Sequence, residues 1–210
     1  MRRDAVGVTR RSRTRGRDVA GLALGLGVLA GSALLARRTR SETEIGIFLS
    51  ANDLPDSAFP PIWTVMQYGT FGAVPVAATV ALAARKPQLA ASIAVGGTAA
   101  WVTAKAVKRV VDRGRPANII DGVHLRGTEE GDQGFPSGHA AVSTAITAVT
   151  WPDVSTSWRL PLAALTGLVP FGRMYVGAHL PLDLVGGSAL GLAIGSAINI
   201  VRGDGSSPRA

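Results

Sequence analysis

The feature that most constrains this chain is an uncharged run, VAGLALGLGVLAGSALLA at residues 19–36, closed by Arg37 and Arg38. A backbone crossing lipid must satisfy its own hydrogen bonds, which leaves a helix as the simplest solution. About 18 consecutive apolar residues is the length at which a spanning helix becomes the better reading. A cleaved signal has a shorter apolar core of about 7–15 residues and ends at a small-x-small site. Leu34-Leu35-Ala36-Arg37 is a poor cleavage site, so a retained helix is expected. Composition agrees: 47% of the chain is hydrophobic and only 17% charged, less charge than a soluble enzyme of this size carries.

Five further apolar runs follow, at about 61–84, 88–107, 137–151, 160–176 and 181–201. Residues 45–61 read as a loop or interfacial segment, and 117–135 as a polar connection containing glycine. The expected fold class is all-α, a polytopic membrane helical bundle of about six transmembrane helices. A basic disordered cytoplasmic tail covers 1–17, the transmembrane domain 18–202 and a C-terminal tail 203–210. Seven arginines lie in the first 17 residues, directly before the first apolar run. A basic segment abutting a span sets topology rather than binding nucleic acid, so no nucleic-acid partner is expected despite the net charge of +8. The chain has no cysteine, which excludes disulfides and thiolate metal sites.

With the N-terminus in the cytoplasm, the Arg85-Lys86 turn is cytoplasmic as well, as the positive-inside rule prefers. The 108–136 connection then lies outside, as does the 177–180 turn. The chain is expected to be a multi-pass protein of the cell membrane with its site on the extracytoplasmic face. Cations at 105–115 break the rule there, and a function for them is the natural explanation. Trp63, Trp101, Trp151 and Trp158 are expected near helix ends, in an interfacial aromatic belt.

Three blocks meet on that outer face: KRVVDRGRP with Lys108, Arg115 and Pro116; PSGH from Pro136 to His139; and RMYVGAHLPLD with Arg173, His179 and Asp183. Lys108, Arg115 and Arg173 are three cations, two of them able to grip phosphate oxygens with a planar fork. Ser137 precedes an Ala-rich helical stretch as an N-cap, so the free N–H groups beyond it, with Gly138 allowing close approach, face an anion. His139 exchanges protons near neutral pH. Pro181 suits the first turn of a helix, which places Asp183 to reach back to one nitrogen of His179 and leave the other free to attack. The mechanism expected is in-line attack by His179 on phosphorus, with His139 as proton partner and no metal or cofactor required.

Lys108-x6-Arg115-Pro116, Pro136-Ser137-Gly138-His139 and Arg173-x5-His179-x3-Asp183 together resemble the three-part signature of the type 2 phosphatidic acid phosphatase (PAP2) superfamily. The resemblance implies a metal-independent phosphatase in which His179, His139 and Asp183 are catalytic and Lys108, Arg115, Ser137, Gly138 and Arg173 bind phosphate. It implies as substrate partner a lipid phosphate or diphosphate, of the isoprenoid diphosphate or phosphatidic acid type. Gly172 departs from the pattern, which usually has Ser before the Arg. The alternatives are a lipid phosphotransferase, and a non-catalytic protein that binds or transports lipid headgroups.

Blander readings stand beside these. Lys108 can pair with Asp112 at i,i+4 on a helix. Arg109 and Arg113 lie outside the pattern and read as solvated or lipid-headgroup contacts. His124 sits in the polar loop without a catalytic role, and Gly186, Gly187, Gly191 and Gly195 read as close-packing positions.

Overall fold

Each apolar run becomes helix, as the absence of a hydrogen-bonding solvent demands. The computed structural model describes residues 2–38, 40–127 and 131–205, with side chains over residues 15–203 of these. Among the described residues there are eight α-helices: α1 (Arg2–Arg38), α2 (Glu42–Asn52), α3 (Phe59–Met66), α4 (Ala73–Ala83), α5 (Pro87–Val111), α6 (Gly138–Thr150), α7 (Thr156–Tyr175) and α8 (Pro181–Gly205). α1 runs through the arginine-rich stretch that composition had placed in a disordered tail. Residues 45–61, expected as a loop or interfacial segment, hold most of α2 and the start of α3. The expected single run 61–84 is broken between α3 and α4 by a 71° bend. There Thr70 is extended (φ −72°, ψ 158°) and Gly69 lies so close to α6 that a Cβ would stand 2.7 Å from the His139 carbonyl oxygen.

The chain is an all-helical membrane bundle, but length and hydropathy do not carry the full count of six spans. Among the described residues, three helices are long and apolar enough to cross a bilayer, and four if the bent pair is one span. α6 has only 13 residues, about 20 Å at ~1.5 Å per residue, against a hydrocarbon core of ~30 Å. α7 carries Pro161 and Pro170 inside its 20 residues, and Arg173 in its last turn.

α6 and α8 form the centre. α8 packs along α1 and along α6, and α6 also meets α5 and α7. The seam is made by missing side chains: a Cβ on Gly191 would lie 2.8 Å from Thr144 Cβ, and one on Gly195 2.5 Å from Ala148 Cβ. Gly25 of α1 fits α8 in the same way, 2.7 Å from the Ala189 carbonyl. Close backbone approach is how helices associate where lipid removes the hydrophobic drive between them. Around this centre Leu24, Leu26, Val76, Val80, Val95 and Val102 lie exposed, as a lipid-facing surface requires. Trp151 and Trp158 lie at helix ends, but Trp101 sits inside α5, its ring 4.8 Å from that of Phe71.

One end of the bundle gathers Lys86, Asp153 and Arg202, through Lys86 Nζ donating to the Asp153 carbonyl and an Arg202–Asp153 ion pair of 2.8 Å. Arg17 stacks over Trp151 at the same end. The three motif blocks lie at the other.

Candidate active site

α5 ends at Asp112, whose left-handed backbone (φ 47°) lets its N–H return to the Lys108 carbonyl at 3.0 Å. The chain then pairs briefly with the approach to α6. Gly114 bridges Gln133, Gly134 N–H donates to the Arg113 carbonyl at 2.6 Å, and Arg115 N–H to the Asp132 carbonyl at 3.1 Å. Lys108 Nζ clamps the same strip by donating to the carbonyls of Gln133 and Gly134, at 2.5 and 3.0 Å. Asp112 accepts from Gln133 Nε2, so the simple Lys108–Asp112 pair does not form. The first two blocks are thereby one unit.

Ser137 is the N-cap of α6 (φ −67°, ψ 118°), its Oγ accepting from Ala140 N–H at 3.5 Å. A Cβ on Gly138 would meet nothing within 4 Å, so the mouth of α6 opens into free space. The helix dipole and the uncommitted N–H groups of this turn favour an anion there.

The third block leaves α7 through Gly177, which needs its positive φ of 81° and leaves no room for a side chain against the His124 carbonyl, 2.9 Å from where a Cβ would stand. His179 follows, 2% exposed, and α8 begins at Pro181. His179 Nδ1 faces Asp183 Oδ2 at 3.6 Å, a contact longer than a hydrogen bond. The Asp183 carboxylate is held elsewhere: Oδ2 accepts from Leu180 N–H at 2.9 Å, and Oδ1 from Arg113 Nη1 at 2.9 Å. Arg113 is therefore neither solvated nor at the lipid headgroups. It is buried at 5% exposure, and its other contacts go to Glu44 of α2, at 3.0 Å to Oε1 and 2.6 Å to Oε2. Two buried carboxylates explain why this arginine turns inward.

Lys108, Arg115 and Arg173 act together on both His139 and His179, so the three blocks converge on one centre. Arg115 Nη1 approaches the Ala178 carbonyl at 3.5 Å, and Ala178 N–H donates to the carbonyl of Arg173 at 3.0 Å. His179 lies between α7 and α8. Burial, then the charges of Arg173, Lys108 and Arg115, hold its imidazole well below the ordinary value of 6.5, and so neutral. The neutral imidazole faces Asp183 through Nδ1 and hydrogen-bonds the Gly134 backbone, so it is held between the third block and the strip leading into α6.

His124 stands apart, 3.9 Å from the Asp53 carboxylate. Gly172 has a physical reason: a Cβ there would lie 2.5 Å from Met66 Cγ and 3.0 Å from Ile62 Cγ2. Glu44 and Gly134 escaped sequence reasoning. Glu44 had one signal, an acid heading the otherwise apolar IGIFL stretch; Gly134 had none, although a Cβ on it would stand 2.8 Å from Asp183 Oδ2.

A profile of the PAP2 superfamily matches residues 88–204, more than half of the chain. A Sulfolobus acidocaldarius protein described as an undecaprenyl-diphosphatase is 33% identical over 120 residues, which cover 56% of this chain and 57% of the relative. The match thus spans little more than half the length of that relative. Two crystal structures share the fold. Aquifex aeolicus LpxE aligns with a TM-score of 0.68 at 20% identity, covering 74% of this chain and 93% of its own. A transmembrane PAP2-type phosphatidylglycerolphosphate phosphatase from Bacillus subtilis aligns at 0.71 and 16% identity, covering 89% and 99%.

Proposed function

Because the chain belongs to the PAP2 superfamily, we propose that it is a membrane phosphatase hydrolysing a lipid phosphate or diphosphate through a phosphohistidine intermediate. One observation carries this reading: three cations and a capped helix mouth surround two histidines, one of them buried against a carboxylate. A headgroup receptor would need the cations but not a buttressed nucleophile. The undecaprenyl-diphosphatase relative makes an isoprenoid diphosphate the first substrate to try.

His179 attacks phosphorus in line, and its bond to phosphorus forms as the bond to the leaving oxygen breaks. Lys108, Arg115, Arg173 and the N–H groups of the α6 mouth balance charge on the equatorial oxygens. His139 gives the leaving oxygen its proton, then takes one from the water that hydrolyses the phosphohistidine. The arginines repel a metal cation, so this chemistry runs without one. An apolar groove of about 690 Å³ runs from the α3–α4 break to Lys86 and Asp153 at the end opposite the motif blocks, and no motif residue lines it. The arginine-rich start and Arg85-Lys86 support a cytoplasmic N-terminus in the cell membrane, with the site on the extracytoplasmic face.

Phosphate release by the purified protein from a panel of lipid phosphates, with EDTA present, tests the proposal. Turnover should persist in EDTA and fall at least ~10³-fold in His179→Ala, since the covalent route is lost. Activity abolished by EDTA, or retained by His179→Ala, would overturn it.

A further inference from the structure

The buried Glu44–Arg113–Asp183 chain has no place in the three-block signature. Ser41 caps α2 and accepts from Glu44 N–H at 3.1 Å, so Ser41-x-x-Glu44 has the form of a capping box. The Glu44 carboxylate is directed elsewhere. Oε1 accepts from Leu182 N–H at 3.0 Å, in the first turn of α8, and both oxygens take the fork of Arg113. An acid of α2 thus caps the helix that carries Asp183. Arg113 passes from Glu44 to Asp183 Oδ1, which leaves Oδ2 facing His179. All three side chains are at most 5% exposed. Such a chain is costly to bury unless its members are paired, and here all four carboxylate oxygens accept hydrogen bonds while Arg113 Nε alone makes none.

Resting on the phosphatase reading, we infer that Glu44 and Arg113 are positioning residues: they fix the Asp183 carboxylate against His179 and thereby set the orientation and tautomer of the nucleophile. Neither touches substrate. The groups facing Asp183 are Arg113, Lys108 and His179, with the Leu180 N–H. Lys108 is tied to the carbonyls of Gln133 and Gly134. Among the described residues, only Arg113 provides Asp183 with a directional side-chain bond to a cation. A lysine there keeps the charge and loses the fork, because one ammonium cannot match two carboxylates in a plane. A glutamine at 44 keeps the shape and loses the anion.

The test uses full-length protein in detergent with Arg113→Lys and Glu44→Gln, each checked for a wild-type melting midpoint; Glu44→Asp serves as the conservative control. The expected result is a kcat at least ~10-fold lower with KM within twofold, partly recovered in Glu44→Asp. A merely structural role would lower the folded fraction and leave kcat per folded molecule unchanged. Three histidines in the chain make [15N]histidine NMR tractable, with His124→Gln and His139→Gln for assignment. The His179 nitrogens should report one tautomer in the wild type and a shifted, averaged pair in Arg113→Lys. If both variants keep kcat within twofold, or if kcat falls with the His179 resonances unmoved, the inference is wrong. Should the wild type release no phosphate from any lipid, the phosphatase reading fails and the His179 resonances alone decide the inference.

Discussion

His179 departs from an ordinary surface histidine in two ways that act together, burial and three neighbouring cations. Its folded value lies well below the 6.5 of an exposed imidazole. As pH falls through 6.5, an unfolded chain takes up this proton and the folded chain does not, so folding stability is full above 6.5 and declines below it. The melting midpoint of the wild type should drop on acidification, and drop less in His179→Gln. On the same grounds the acid limb of kcat/KM should fall well below pH 6.5, which a pH–rate profile on the free enzyme will show. An acid limb centred near 6.5 would contradict the burial of His179. At this scale the sequence made the motif residues legible because their spacing is local: Ser137 with Ala140, His179 with Asp183. Glu44 and Arg113 were not legible as partners, since 69 positions separate them and only the folded chain brings them together.

Between helices, the α6–α8 seam depends on absent side chains. Gly191→Val would press a branched side chain where even a Cβ sits 2.8 Å from Thr144 Cβ. The expected cost is about 1–3 kcal/mol from overpacking, read as a lower melting midpoint in detergent. Gly172→Ser, which restores the residue usual in the signature, should likewise destabilise, because Met66 and Ile62 of α3 occupy the space. Combined with Met66→Ala, the serine should be tolerated, and the difference between single and double variants measures the clash. The helices themselves could be read from hydropathy, and the glycine-rich last run from its small residues. The α3–α4 break could not, because Gln67-Tyr68-Gly69-Thr70 interrupts the apolar run only briefly and the turn is set by Gly69 meeting α6. Nor could α2, because Asp53, Pro55 and the prolines at 60 and 61 that follow it suggest a loop or interfacial segment for the whole stretch.

Across the whole molecule, Arg17, Lys86 and Arg202 lie at the end opposite the motif blocks, and the absence of cysteine makes that polarity measurable. Asn118 and Ser157 are exposed at opposite ends of the bundle. Asn118→Cys should react with a membrane-impermeant maleimide in intact cells, and Ser157→Cys only after permeabilisation. The reverse pattern would invert the proposed orientation. The alternation of runs and turns gave this arrangement in outline, whereas the span count stayed open because α6 is so short. Ser137 N–H donates to the Asp183 carbonyl at 2.8 Å, fastening the start of α6 to the start of α8 directly above the glycine seam. His139 and His179 are therefore mounted on one rigid frame before any lipid arrives. In the proposed mechanism, the entropy of aligning acid and nucleophile is lost once, during folding, and need not be lost again at each turnover.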